Sequence, residues 1–98
     1  MTVAEVPRER APRRVVIVAS YQRSRAALGE APQTERVAAT LESLAAARPY
    51  AVAAVPGTIV RVLRARRYGE FPPLRLYYSV DEVAVRLLWI EHYDEMES

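Results

Sequence analysis

Apolar and polar positions divide the chain into short blocks separated by Gly and Pro. Residues 14–19, Arg-Val-Val-Ile-Val-Ala, form an apolar β-branched run that fits a strand buried on most sides. Ser20 stands where a helix N-cap belongs, since its hydroxyl can accept a free backbone N–H. Residues 21–28 then read as a two-turn helix with Tyr21, Ser24 and Leu28 on one face. Gly29 is its stop, because glycine takes the left-handed conformation cheaply. Ala31-Pro32-Gln33-Thr34 opens a second helix. Val37, Leu41, Leu44, Ala45 and Arg48 follow at helical spacing, and several alanines imply close packing. Pro49 disfavours helical conformation at Arg48 and ends the run. The two helices are expected to form an antiparallel hairpin.

The period changes from helical to strand-like after the connector at residues 50–57, which ends in Pro56-Gly57. Residues 58–68 predict a strand with imperfect alternation. Val60 and Val62 share a face with Arg64 and Arg66, while Ile59, Leu63 and Ala65 share the other with Arg61 and Arg67. Either a twist or a bulge must reconcile these faces. A loop at 69–73 follows. Residues 74–80 alternate cleanly, with Leu74, Leu76, Tyr78 and Val80 opposite Arg75, Tyr77 and Ser79. Asp81-Glu82 predicts a tight turn. Residues 83–91 predict a central strand, with Val83, Val85, Leu87 and Trp89 opposite Ala84, Arg86, Leu88 and Ile90, and with Trp89 in the core.

The resulting order, β-α-α-β-β-β, is an α+β fold: a small, mostly antiparallel twisted sheet packed on a helical hairpin. Residues 1–13 carry mixed charge and two prolines and are expected to be a flexible arm. Residues 14–98 are expected to be one domain, since 98 residues suit a single modest core. No apolar run approaches the ~20 residues of a membrane span. The N-terminus lacks the apolar centre of a secretory signal, so a cytoplasmic protein is expected. The chain has no cysteine and one histidine, which argues against a disulfide framework or a zinc site. No cofactor or metal is expected.

Charge adds a second layer. The net charge is only +2, yet all 14 basic residues are arginine. Arginine stays charged at physiological pH and grips phosphate through a planar fork. Six arginines lie between Arg61 and Arg86, and four acids crowd the last eight residues. A basic middle beside an acidic end points to an anionic ligand.

The block Leu74-Arg75-Leu76-Tyr77-Tyr78, the basic strand before it and the closing Trp89-Ile90-Glu91-His92-Tyr93 occur in this order at this length. Together they resemble the RelE/ParE superfamily of bacterial type II toxin–antitoxin toxins, over roughly residues 14–96. The resemblance implies a toxin neutralised by a cognate antitoxin, in a toxin–antitoxin hetero-oligomer. It implies a ribosome-dependent mRNA endoribonuclease (an mRNA interferase), so that the ribosome and mRNA are partners. Two alternatives follow from the same resemblance: a ParE-like inhibitor that binds DNA gyrase, or a non-catalytic member that binds its antitoxin alone. Carried over by position, Arg75, His92 and Tyr93 would be catalytic, and Arg64 and Arg66 would bind RNA phosphate.

Cleavage by internal attack needs a base for the 2′-OH, a cation for the phosphate and an acid for the leaving 5′-oxygen, without a metal. Arg75 with Arg64 or Arg66 would clamp the phosphate. His92 is the side chain whose ordinary pKa, about 6.5, suits acid or base work. Glu91 is an alternative base, although alternation sets it opposite His92. Tyr93 or Tyr77 would stack on a base.

Overall fold

The computed structural model describes residues 13–96. Apart from Arg13, the arm expected over residues 1–13 lies outside them. Strand β1 (Arg14–Ile17) leads into helices α1 (Ala19–Ala27) and α2 (Pro32–Ala47), then strands β2 (Arg61–Ala65), β3 (Leu74–Val80) and β4 (Ala84–His92). The fold is α+β. The four strands form one mixed sheet in the order β1-β4-β3-β2, with β1 parallel to β4 and the remaining pairs antiparallel. Among the described residues no helix is long and apolar enough to cross a membrane.

Both helices cover one face of the sheet. The core joins Tyr21 of α1 and Ala38, Leu41 and Ala45 of α2 to Leu74, Leu76, Tyr78, Val85, Leu87 and Ile90 of the sheet. The buried stripe of α2 is Thr34, Ala38, Leu41 and Ala45, with Val37 beside it. Leu44 and Arg48, expected on that stripe, are exposed. Small side chains let the α2 backbone approach the sheet closely, so the alanines face inward and the larger Leu44 is left at the flank. Truncating a fully buried leucine such as Leu76 to Ala should cost about 2–5 kcal/mol.

The expected Ser20 cap is also corrected. Val18 is the N-cap, and Ser20 lies within the first turn of α1. Its hydroxyl donates to the Leu88 carbonyl at 2.7 Å. Four residues on, Ser24 Oγ accepts the Ile90 N–H at 3.0 Å while donating to the Tyr21 carbonyl. Strand β4 outruns the four-residue β1, and the two α1 serines supply hydrogen-bond partners beyond its end. Buried backbone groups need such partners. Gly29 (φ +92°) ends α1 as expected.

Three strand expectations change. First, β1 is an edge strand rather than a buried one, with Val15 and Ile17 about half exposed. Second, β2 is shorter than residues 58–68. Residues 54–61 fold back on themselves, with the Val55 N–H on the Val60 carbonyl at 2.8 Å and an Ala54–Arg61 bridge. No bulge interrupts its pairing with β3. Arg61 lies on the core side with Leu63 and Ala65, because its register partner is buried Tyr78. It escapes the core by donating to the Val52 carbonyl and stacking over Tyr50. Third, the bulge belongs to β4. Tyr77 pairs with Trp89 and Tyr78 with Leu87, leaving Leu88 as the extra residue. The bulge switches the faces of β4, so Val85, Leu87 and Ile90 are buried while Trp89 is 40 % exposed. Trp89 is therefore not a core residue.

Candidate functional site

The sheet face away from the helices carries the polar side chains. Clean alternation on β3 sends Leu74, Leu76 and Tyr78 inward, so Arg75 and Tyr77 face outward. Register then sets their neighbours. One row across the sheet is Arg64, Arg75 and Glu91; the next is Val62, Tyr77 and Trp89. Directly opposed like charges destabilise a strand pair. Glu91, on the other side of Arg75, offsets the Arg64–Arg75 repulsion.

Glu91 is the hub. Its Oε2 accepts Arg75 Nε at 2.6 Å and the Tyr77 hydroxyl at 3.0 Å, and its Oε1 accepts Trp89 Nε1 at 2.9 Å. Partial burial pushes the Glu91 carboxyl up, but the bonds from Arg75, Trp89 and Tyr77 outweigh it and hold the group below its ordinary value. The Tyr77 phenol moves the other way. Burial and the Glu91 carboxylate raise it, against the opposing charges of Arg75 and Arg64. Glu91 is thus ionised and Tyr77 protonated near neutrality.

Aromatic rings frame the arginine. The Arg75 guanidinium carbon lies 5.3 Å from the Tyr93 ring centroid and 6.0 Å from that of Tyr77, within cation–π range. Tyr93 is placed by the continuation of β4, where its N–H reaches the Pro73 carbonyl at 3.4 Å. The acidic end then crosses toward β2, and Glu95 Oε2 accepts the Arg67 N–H at 2.9 Å. Arg64 is exposed and makes no ion pair among the described residues.

The structure therefore brings together Arg64, Arg75 and Tyr93. It does not bring His92 or Arg66 to them. His92 pairs in register with the fully buried Leu74, which sets it on the helix side of the sheet, at the exposed rim. Arg66 follows the end of β2 and lines a groove against α2. Glu91, expected only as an alternative base, stands beside Arg75, and Trp89, expected in the core, lies in the next row across the sheet. One signal pointed there: simple alternation from Val85 and Leu87 would bury Glu91, so an unpaired residue had to fall between Leu87 and Glu91. Among the described residues no group of three His, Cys, Asp or Glu side chains is placed to hold a metal ion.

The row presents two cations to one carboxylate, with three aromatic rings around it. Such a surface suits an anionic, planar-ringed ligand: arginines for phosphate, ring faces for bases. No family model, curated protein or solved structure matches the chain.

Proposed function

We propose that this chain is a RelE/ParE-like toxin whose open sheet face binds single-stranded mRNA at the ribosome and cleaves it. The observation that carries the reading is the Arg64–Arg75–Glu91 row, flanked by Tyr77, Trp89 and Tyr93. In the free protein Arg75 is bonded to Glu91. A phosphate arriving between Arg64 and Arg75 competes with that bond. As Arg75 turns toward phosphate, Glu91 loses a bond that lowers its pKa, while its burial, which raises it, remains. The carboxylate becomes a better proton acceptor when substrate is in place.

Glu91 then takes the 2′-OH proton. The 2′-oxygen attacks phosphorus, and the bond from phosphorus to the 5′-oxygen breaks. A 2′,3′-cyclic phosphate remains upstream, and water protonates the departing 5′-oxygen. Arg75 and Arg64 neutralise charge gathering on the phosphoryl oxygens. Glu91 thus takes the base role that sequence reasoning offered to His92, because Glu91 lies beside Arg75 and His92 lies on the other side of the sheet.

A second reading is a protein binder, either a gyrase inhibitor or an antitoxin-binding chain without catalysis. It is favoured by the completeness of the Glu91 network and by Glu95 at the exit of β2, where a carboxylate repels phosphate. In every case a cognate antitoxin is the expected partner, covering the arginine-bearing face or the helical hairpin.

Expression in cells with mapping of mRNA 5′ ends, alongside a gyrase supercoiling assay, separates these readings. The ribonuclease reading expects growth arrest with new 5′ ends, both lost in Arg75→Ala and Glu91→Gln. Arrest with intact mRNA and blocked supercoiling would move the function to gyrase. No arrest at all would leave antitoxin binding.

A further inference from the structure

A second depression lies around the edge of the sheet, where β2 ends against α2. Its floor is the turn at residues 68–71. Tyr68 and Phe71 exchange backbone hydrogen bonds of 3.1 and 2.9 Å, and Gly69 takes the left-handed conformation (φ +59°) that closes the turn. Gln33 Nε2 donates to Glu70 Oε1 at 3.1 Å and ties the turn to the start of α2. Two hydrogen-bonded links therefore hold an aromatic platform in place. Tyr68 is 79 % exposed, although a tyrosine ring that serves only packing would be covered.

Two arginines line the same groove. Arg36 of α2 lies 5.7 Å over the Phe71 ring, and Arg66 comes from the segment just past β2. Neither makes an ion pair among the described residues. Two carboxylates lie nearby: Glu70 accepts from Gln33 Nε2, and Glu95 accepts the Arg67 N–H. Arg66 follows Arg64 by two residues, just past the end of β2. A strand of nucleic acid leaving the open face at Arg64 would therefore meet Arg66 next.

We propose that the groove formed by Arg36, Arg66, Tyr68 and Phe71 is a second nucleotide subsite. It extends a single-stranded RNA footprint from the open face around the edge of β2. Tyr68 stacks on a base, and Arg36 and Arg66 hold the adjoining phosphate. An acidic peptide would also satisfy the arginines, but it makes no use of a bare ring; the ring favours RNA. The inference rests on the RNA-binding reading of the open face and adds a length requirement to it.

The test is fluorescence anisotropy at low salt with two labelled RNAs, a trinucleotide and a decanucleotide, both 2′-O-methylated to prevent cleavage. Tyr68→Ala is expected to weaken decanucleotide binding about tenfold and to leave trinucleotide binding unchanged. Arg36→Ala with Arg66→Ala is expected to weaken the decanucleotide and to lower the salt slope by about 0.7, for the one phosphate they hold. Arg64→Ala with Arg75→Ala is expected to weaken both RNAs. If the groove variants bind the decanucleotide like the unaltered chain while the open-face variant does not, the subsite is overturned and the open-face reading stands. If only the groove variants weaken binding, the open-face reading is overturned, and with it the claim that the groove extends an open-face footprint. Failure of the unaltered chain to bind either RNA overturns both. Tyr68 is exposed, so circular dichroism of Tyr68→Ala should match the unaltered chain.

Discussion

Two clusters in this molecule share one design, an arginine and a tyrosine converging on a single glutamate oxygen. Between the helices, Tyr21 and Arg25 both donate to Glu42 Oε2. On the open face, Tyr77 and Arg75 both donate to Glu91 Oε2. Their surroundings differ in sign and in cover. Arg25 also forks onto Glu35, at 3.1 and 3.0 Å, so two carboxylates face one cation. Arg75 has Arg64 across the strand, so two cations face one carboxylate. The Tyr21 ring is buried in the core, whereas Tyr77 and Tyr93 flank their arginine at a surface. Burial and Glu42 raise the Tyr21 phenol well above its ordinary value, and the two carboxylates raise Arg25 against its own burial. The helical cluster is a clasp that closes the hairpin. The sheet cluster leaves an excess positive charge and ring faces at the surface.

The sharpest way to break this contrast is to remove each tyrosine. Tyr21→Ala empties a core position and should cost about 3–5 kcal/mol, read as a fall in the urea midpoint at constant slope. Tyr77→Ala should cost less than about 1 kcal/mol, as for an outward-facing side chain. Equal losses would erase the distinction.

The arginines should divide the other way. Arg75→Ala should lower RNA cleavage on the order of a hundredfold, the scale of one lost oxyanion-type donor. Arg25→Ala should leave the cleavage rate of the folded fraction unchanged. A rate indifferent to Arg75 would make the open face as structural as the clasp.

Glu91→Gln refines the point. The amide keeps the shape but cannot take a proton, and it removes the charge that competes with phosphate for Arg75. Cleavage should disappear while affinity for uncleavable RNA stays equal or rises. A fall in affinity would make Glu91 a positioning group for Arg75 rather than the base.

The smallest effect concerns acid. Glu35 is held below its ordinary value by the hydrogen bonds and charge of Arg25. Asp81 is lowered to about 2 by the Val83 N–H, then Arg86 and the Ala84 N–H. A carboxylate depressed on folding contributes stability that is fully present above its unfolded pKa, about 4, and is lost as pH falls through the folded value. Stability should therefore decline from about pH 4 toward pH 2. Asp81→Asn should flatten that limb in pH-dependent thermal melts without changing the melting temperature at pH 7 by more than a few degrees.

Local pattern alone determined the order and type of the elements. Gly29 and Pro49 bound the helices, the alternation from Leu74 to Val80 assigned both faces of β3, and that alternation alone set Arg75 outward. These features depend on neighbours within a few residues, where sterics and period act directly. Only the tertiary structure decided the rest. The pairing of β1 with β4 made an apolar run an edge strand, and the packing of α2 chose its alanines over Leu44. The extra residue Leu88 turned Trp89 and Glu91 outward and His92 to the helix side. Register is a long-range property with a period of two, so one added residue exchanges the faces of everything after it. Arg75 was legible in the chain because its strand is regular; its partner Glu91 was hidden because its strand is not.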